Sequence, residues 1–171
     1  MSNKKFTKNF VEKKIRAKSF GVLSTVSPLG RAQSSGVLYG VSDITEKCKL
    51  FILTGLDYKK THNIMKNPHV SFTITFPHYY FRFAPASTIQ FQALAKILSI
   101  DDQKAINSFK TKRILRDMLG WLDTKEDLKD HERMVFIELT PMGKYNCYGV
   151  GYSIIELAKK AHNATYQVGI T

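Results

Sequence analysis

The sequence predicts a mainly β protein of the α+β class, in which six strands form a small barrel and helices lie at its periphery. Runs of β-branched and aromatic residues recur along the chain, and short turns containing Gly or Pro join many of them. The chain has 171 residues, 43% of them hydrophobic, which is enough for one core but short for two. We therefore expect a single domain, with an N-terminal helix over 1–19, a barrel over 20–141, and a strand and helix over 142–171.

The first 18 residues are strongly basic and predict an amphipathic helix. They hold seven Lys and Arg residues and one acid, Glu12, and so carry about half of the formal net charge of +12. The apolar positions on the expected inner face are Phe6, Phe10, Val11 and Ile15. A terminal helix explains this charge without a polyanionic partner. No nucleic-acid-binding motif accompanies it, so binding of RNA or DNA is the less favoured alternative.

Four strands are predicted in the first half of the chain. Phe20–Val26 and Arg31–Ser42 should form a hairpin, because Ser27-Pro28-Leu29-Gly30 has proline and glycine where a type I turn favours them. A turn around 43–47 then leads to a strand at Lys49–Thr54. Val70–Phe76 alternates apolar and polar residues, which predicts a strand with one buried face.

The second half begins with an aromatic connection, Pro77–Pro85, whose role the sequence leaves open. Ser87–Ser99 has the length of a central strand. Ser99, followed three residues later by Asp102, predicts the start of a helix that runs to about Leu119. The remaining predicted elements are strands at Arg133–Leu139 and Lys144–Val150 and a helix at Ser153–Asn163.

The segment from Lys49 to Phe76 predicts an anion-binding site. A strand, a basic turn and a short helix follow one another there, and the helix ends before Asn67-Pro68. The first N–H groups of a helix favour an anion, and Lys59, Lys60 and the Thr54 hydroxyl would add charge and further donors. A phosphorylated ligand is therefore one interpretation. The other is that both lysines are solvated charges on an ordinary connecting helix.

Other chemistry is weakly indicated. Cys48 and Cys147 form no CxxC or Cys/His pattern, so the sequence predicts neither a disulfide framework nor a zinc site. Gly149-Val150-Gly151 lacks the third glycine of a dinucleotide fingerprint and is interpreted as a turn. No apolar run approaches the length of a membrane span, and no signal peptide is evident, so we expect a cytoplasmic protein. The histidines, at 62, 69, 78, 131 and 162, are too scattered to form a recognisable metal motif.

Over about 20–139 the chain resembles the FMN-binding split-barrel family related to pyridoxamine 5′-phosphate oxidase. The segment ILTGLDYKKTHNIMKNPHVSFTITF is similar to that family's aromatic-Thr-Asn, Ser-Arg-Lys and Asn-Pro block followed by a strand. STIQFQALAKILS resembles the central strand, Leu119-Gly120-Trp121 the Gly-Ala-Trp motif, and FIELTP the last barrel strand. The ending resembles the tails of little-characterised archaeal and bacterial members. The resemblance implies a six-stranded split barrel.

The resemblance also implies a set of flavin contacts. Thr54, Lys59 and Lys60 fall where members bind the flavin phosphate, and SSGVLYG falls on the strand beside the isoalloxazine ring. Departures are equally clear, since Ser35 and Gly40 replace an arginine and a lysine of the oxidase, and its C-terminal Trp-Arg-Arg block has no counterpart. The expected cofactor contacts are Ser34, Ser35, Gly36, Val37, Leu38, Thr54, Tyr58, Lys59, Lys60, Thr88 and Trp121, where Tyr58 replaces a serine and Thr88 a glutamine.

These observations lead to the expectation of an FMN-binding oxidoreductase that does not act on vitamin B6. Its partners would be a small-molecule substrate or electron donor and a second copy of the chain, with the cofactor at the homodimer interface. No catalytic acid, base or nucleophile and no metal ligand is assigned. The alternatives are a deazaflavin-dependent reductase, a haem-binding member of the superfamily, a non-enzymatic flavin sensor or store, and a basic nucleic-acid-binding barrel.

Overall fold

The computed structural model describes residues 6–77, 85–124, 133–160 and 164–170. The described helices are α1 (Lys8–Arg16), α2 (Lys59–Lys66), α3 (Gln103–Lys110), α4 (Arg113–Thr124) and α5 (Ile154–Lys160). The described strands are β1 (Phe20–Val26), β2 (Ala32–Leu38), β3 (Gly40–Val41), β4 (Leu50–Gly55), β5 (His69–Phe76), β6 (Ser87–Ser99), β7 (Met134–Tyr148) and β8 (Thr165–Gly169). None of the helices in these ranges is long and apolar enough to cross a membrane.

The strands form one antiparallel sheet in the order β2-β1-β5-β6-β7-β4-β3, and β8 adds to the C-terminal half of β7. The two ends of this order, β2 and β3, are consecutive in the chain, so the sheet curls round on itself as a split barrel with helices outside. The predicted fold class is therefore confirmed. The strand count differs, because the described part of the chain has eight strands where six were expected.

Apolar side chains lie on both sides of this curled sheet. The larger cluster fills the barrel and contains, among others, Leu23, Phe72 and Phe91, all fully buried. A second cluster lies outside β4, where Phe51 and Phe136 meet α3 and α4. Consecutive residues of β4 are therefore all buried, since one face of the strand contributes to the barrel and the other to the helical layer. This explains why the apolar run at Leu50–Gly55 does not alternate.

The predicted hairpin is present, with β1 and β2 paired from Phe20–Leu38 to Val26–Ala32. The turn has a hydrogen bond from Gly30 N–H to the Ser27 carbonyl (2.9 Å), and Gly30 adopts φ +74°. That left-handed conformation favours glycine over residues with a side chain.

Three predictions about elements were wrong. The helix after β6 begins at Gln103, and the Asp102 side chain accepts a hydrogen bond from Ala105 N–H (3.0 Å), so Asp102 and not Ser99 is the N-cap. The helix also divides into α3 and α4 around Thr111. The two closing strands are one, β7, since Gly143 at φ +70° lets the strand continue through the expected break. The C-terminal tail forms β8 beside this extended strand.

The N-terminal helix is confirmed over Lys8–Arg16, with Val11 and Ile15 fully buried. Phe6, just before the helix, stacks on Phe10 of the helix and on Tyr166 of the C-terminal region, with ring centroids 5.0 Å and 4.6 Å apart. Residues 78–84 of the aromatic connection, together with His78, His131 and His162, lie outside the described residues.

Candidate functional site

The site is built on the end of the β1–β2 hairpin that lies next to the turn. Thr25 and Gln33 are directly opposite each other in the ladder, one step from the end of the pairing. Thr25 is buried and Gln33 is exposed. The next residue of β2, Ser34, shares a hydrogen bond with Ser24 (Oγ to Oγ 2.8 Å). The hairpin therefore presents hydroxyl and amide groups at this end.

Helix α2 is placed against this hairpin by polar contacts. The Thr61 hydroxyl donates a buried hydrogen bond to the Gly55 carbonyl (2.9 Å), which fixes the first turn of the helix to the end of β4. Asn63 Nδ2 donates to Thr25 Oγ1 and to Gln33 Oε1, both at 2.9 Å. The start of α2 is thereby held beside the hairpin.

The N-terminus of α2 has the unsatisfied donors of a helix start. Its N-cap residue, Tyr58, is extended and makes no side-chain cap hydrogen bond. The first N–H groups of a helix have no intrahelical partner, and here no capping side chain replaces one. The first two residues of the helix are Lys59 and Lys60, so backbone N–H groups and ammonium groups occur together.

These elements enclose a cleft of about 390 Å³. Its walls come from the hairpin on one side and from the helix start on the other. The lining residues are Thr25, Gln33, Ser34, Ser35, Tyr58, Lys59 and Lys60. The lining includes two cationic side chains and no carboxylate, so the cleft favours an anion.

Lys60 and Tyr58 form a pair at this cleft. The Lys60 ammonium lies 4.6 Å from the centroid of the Tyr58 ring, within the range of a cation–π contact. Partial burial lowers the pKa of Lys60 below its ordinary value. A Cβ on Gly55 would lie 3.3 Å from the Tyr58 ring, so the glycine lets the ring lie close to the end of β4. An anion would favour the charged form of Lys60 and oppose the effect of burial.

Thr54 is the predicted phosphate contact at the end of β4, and the structure buries it. Its exposed fraction is 3%, and within the described residues its Oγ1 is buried without a hydrogen-bond partner. A buried hydroxyl without a partner is uncommon in folded proteins. Thr54 does not line the cleft itself, but it immediately precedes Gly55, which anchors α2.

The other predicted contacts lie elsewhere. Gly36 faces the Phe20 ring, which would be 2.9 Å from an added Cβ, so the absent side chain makes room for that ring. Val37 is in the barrel core, and Leu38 packs against the second apolar cluster. Thr88 pairs with Thr75 near the far end of β5. Trp121 is on α4, and its side chain lies outside the described residues. The structure thus brings five of the eleven predicted residues to one cleft: Ser34, Ser35, Tyr58, Lys59 and Lys60.

Sequence reasoning missed Thr25, Gln33 and Asn63. The first two lie beside the predicted turn at Ser27–Gly30, but strands that end at Val26 and resume at Arg31 would place Thr25 opposite Ala32, one residue from the observed pairing with Gln33. Nothing in the sequence indicated the role of Asn63, since a polar residue on a short helix is normally exposed. The burial of Asn63 depends on the position of the hairpin.

The arrangement fits the phosphate end of flavin mononucleotide. Two ammonium groups, hydroxyl donors and free N–H groups at a helix start are the donors that a phosphate dianion needs. Tyr58 is the one aromatic side chain among the lining residues, and no aliphatic side chain joins it, since Val37 and Leu38 are committed to the two cores. The fit is therefore to the phosphate, and the ring would need further walls.

The buried thiols do not contribute to this site. Burial raises the pKa of Cys48 and of Cys147 to about 11, so both stay protonated at neutral pH. Across the ranges that the structure describes, no group of three or more His, Cys, Asp or Glu side chains is placed to hold a metal ion.

Comparison with solved structures finds the same fold in proteins of low sequence identity. A pyridoxamine 5′-phosphate oxidase-related, FMN-binding protein from Nostoc punctiforme matches with a TM-score of 0.53 and 14% identity, over 80% of this chain and 77% of that one. A haem-binding protein from Mycobacterium smegmatis gives 0.64 and 13%, over 97% and 60% of the two chains. The haem storage protein of Vibrio cholerae gives 0.55 and 20%, over 75% and 86%. At these identities the likeness concerns the fold alone.

A search of curated proteins finds no match. The family model described as pyridoxamine 5′-phosphate oxidase matches residues 7–146, which include every strand of the barrel up to most of β7 and the whole of the cleft. The chain therefore belongs to the pyridoxamine 5′-phosphate oxidase family.

Proposed function

We propose that this protein is a flavoprotein that binds FMN through its phosphate at the start of α2 and acts as an oxidoreductase on a small molecule other than vitamin B6. The observation that carries the proposal is the cleft, in which Lys59, Lys60 and the hydroxyls of β2 lie beside the uncapped start of a helix. Membership of the family supports the choice of a flavin phosphate over other anions.

Each group at the cleft has a distinct part in binding. The two ammonium groups neutralise the phosphate, and the N–H groups at the helix start orient its oxygens. Ser34 and Ser35 supply short hydroxyl donors from the opposite wall. When bound, the isoalloxazine ring supplies the electron transfer chemistry. The protein then needs to position the ring and exclude water, and it needs no nucleophile of its own.

The departures from the oxidase support a different substrate. Ser35 lies on the cleft wall in place of the arginine that the resemblance leads one to expect, and Gly40 lies against Ser108 of α3. A Cβ on Gly40 would be 2.4 Å from the Ser108 hydroxyl. A side chain as long as lysine therefore cannot be accommodated there without a shift of α3. Neither position therefore supplies the charge that a pyridoxal phosphate would need.

We also propose that the protein is a homodimer with the flavin ring at the interface. The outward face of the sheet has a row of uncharged residues that are paired strand to strand: Val22, Thr73, Gln90, Asn146 and Gln167. A second row runs through Ser34, Ser24, Ser71 and Gln92. Two copies with a net charge of +12 each can meet on such a face without burying lysines. The partner would then supply the further walls that the flavin ring needs.

The cofactor assignment is tested by titrating the purified protein with FMN and with riboflavin, and following quenching of flavin fluorescence. We expect FMN to bind at least about ten-fold tighter, because a charged hydrogen bond contributes about 1.5–3 kcal/mol. Equal affinities would overturn the phosphate site. A Soret band or a deazaflavin spectrum in the purified protein would replace FMN with the corresponding cofactor.

Two further measurements test the proposed oxidoreductase activity and the proposed homodimer. Reduced flavin on the protein should be reoxidised by an acceptor within a turnover cycle, and flavin that binds but never cycles would favour a sensor or store.

Gln90→Glu places a charge in the uncharged row, so sedimentation should show a dimer for the parent and a monomer for the variant. A monomeric parent would contradict the dimer.

A further inference from the structure

We infer that Asn63 is a positioning residue for the phosphate site: its buried amide sets the distance between the lysines of α2 and the hairpin wall of the cleft. This inference rests on the proposed function and deepens it. Asn63 does not line the cleft, and its exposed fraction is 4%.

The amide of Asn63 is fully used as a donor. Its two N–H bonds go to Thr25 Oγ1 and Gln33 Oε1, each at 2.9 Å. Those two acceptors belong to directly paired residues on β1 and β2, and both line the cleft. One side chain therefore holds both strands of the hairpin at the level of the site.

The helical spacing relates the same amide to the two lysines. Asn63 follows Lys60 by three residues and Lys59 by four, and residues at those spacings share one face of a helix. The face that Asn63 fixes against the hairpin is thus the face that presents both lysines to the cleft. A change at Asn63 would alter the rotation and distance of this face relative to the opposite wall.

The polar nature of this contact makes it suited to positioning. Two hydrogen bonds from one planar group fix direction as well as distance, whereas an apolar contact tolerates sliding. The neighbouring buried residue Ile64 packs into the barrel core and supplies the apolar part of the docking. Asn63 therefore contributes the geometry, and Ile64 contributes the burial.

The test measures the ratio of FMN affinity to riboflavin affinity in Asn63→Leu, which has a similar shape and no donor. We expect this ratio to fall about ten-fold, because both lysines keep their charge but lose their alignment with the phosphate. Riboflavin binding should change little. His62→Leu is the matched control, since His62 is adjacent, exposed on the same helix and outside the cleft.

The outcomes separate this inference from the proposed function. If the parent protein binds FMN and riboflavin equally, the phosphate site itself is refuted. If the parent prefers FMN and Asn63→Leu keeps that preference while its thermal stability falls, Asn63 has a structural role only and the inference fails. Asn63→Ala is the second variant if Asn63→Leu does not fold, because Thr25 and Gln33 line the cleft and replacing either would also remove a direct cleft contact. A reduced ratio in Asn63→Ala supports the inference, and an unchanged ratio overturns it.

Discussion

Helices α2 and α3 both pack against the same sheet, but they are attached in different ways. Helix α2 uses two buried polar residues, Thr61 and Asn63, which bond to the backbone of β4 and to the hairpin. Helix α3 uses Ala105 and Phe109, which pack against Phe136 in the second apolar cluster. The α2 junction adds directed hydrogen bonds to the apolar contact of Ile64, whereas the α3 junction is mainly apolar.

The comparison indicates how one fold separates binding from stability. Hydrogen bonds between α2 and the hairpin hold the two apart at a fixed distance and leave a polar cleft between them. Apolar contact under α3 buries Ala105 and Phe109 completely. Burial of apolar surface supplies most of the free energy of folding. The packing under α3 can therefore stabilise the barrel, while the junction between α2 and the hairpin leaves space for a ligand.

Charge distinguishes the two sides as well. A smaller cleft of about 200 Å³ lies beside α3, and its lining includes Asp43, Glu46 and Lys104. Hydrogen bonds from the backbone and side chain of Thr45 lower the pKa of Asp43, so this carboxylate stays ionised at neutral pH. Glu46 pairs with Lys104 at 3.4 Å. An anion is therefore favoured at the α2 cleft and disfavoured at this one.

The largest expected effect is on stability at the apolar junction. Phe109 is fully buried, and its ring centroid lies 5.3 Å from that of Phe136. Phe109→Ala should lower the free energy of unfolding by about 3–5 kcal/mol, measured by urea denaturation, because it removes a large side chain and leaves a cavity. The FMN-to-riboflavin affinity ratio of the folded protein should stay the same.

The milder Phe109→Leu serves as the check if the alanine variant does not fold. It should lose part of the stability and leave the ratio unchanged. A ratio that falls together with stability in this variant would show that the two junctions are not separate, and the comparison would fail.

The next effect is on binding at the polar junction. Replacing Lys59 and Lys60 together by alanine should weaken FMN binding by about 2–4 kcal/mol, if both make charged hydrogen bonds that partly overlap. Stability should change by less than about 0.5 kcal/mol, since Lys59 is exposed and Lys60 is only half-buried. Isothermal titration with FMN and with riboflavin measures both ligands on one sample.

The matched control removes the same charge from exposed positions outside the cleft, by replacing Lys66 and Lys110 with alanine. This control should bind FMN almost as the parent does, with only the small change due to the lower net charge. Equal losses in the two double variants would mean that general charge attracts the flavin, and the cleft would lose its special role.

The sequence was sufficient to predict those features of the α2 junction that depend on neighbouring residues. The turn at Ser27–Gly30 identifies the hairpin, and the break after β4 together with Asn67-Pro68 brackets α2. The cationic residues of the cleft, Lys59 and Lys60, are adjacent in the chain and were identified for that reason. Such features can be predicted from the sequence because turns and helix ends depend on a few neighbouring residues.

The non-local parts could not be predicted in this way. Val37 and Leu38 are apolar, as residues beside a flavin ring would be, yet tertiary packing places them in the two cores. Asn63 becomes a buried donor only because the hairpin, some 30 residues earlier in sequence, lies against α2. The continuous strand β7 likewise depends on pairing with β6 and β8, which overrides the proline and glycine near its middle.

A smaller effect is expected from the aromatic partner of Lys60. Tyr58→Leu removes the cation–π contact, which contributes about 0.5–1 kcal/mol at exposed positions, so FMN affinity should fall about two- to five-fold. Tyr58→Phe keeps the ring and should bind FMN as the parent does. A loss in Tyr58→Phe equal to that in Tyr58→Leu would instead assign the effect to the hydroxyl.

The smallest effect is a change in pH dependence. Only the protonated form of Lys60 attracts the phosphate, so FMN affinity should decline as this lysine loses its proton. Because burial lowers the pKa of Lys60, the decline should begin at a lower pH than for a lysine at the ordinary value of 10.5. Lys60→Arg stays charged throughout this range, since the pKa of arginine is above 12.

Comparing the parent with Lys60→Arg at each pH cancels the titration of the flavin itself, because both proteins bind the same ligand. At neutral pH the two affinities should agree within a few-fold, and they should diverge as the pH rises. Parallel curves up to the ordinary lysine range would mean that Lys60 does not face the phosphate. In that case Lys59 and the helix start would provide the attraction, and Lys60 would line the cleft without contacting the phosphate.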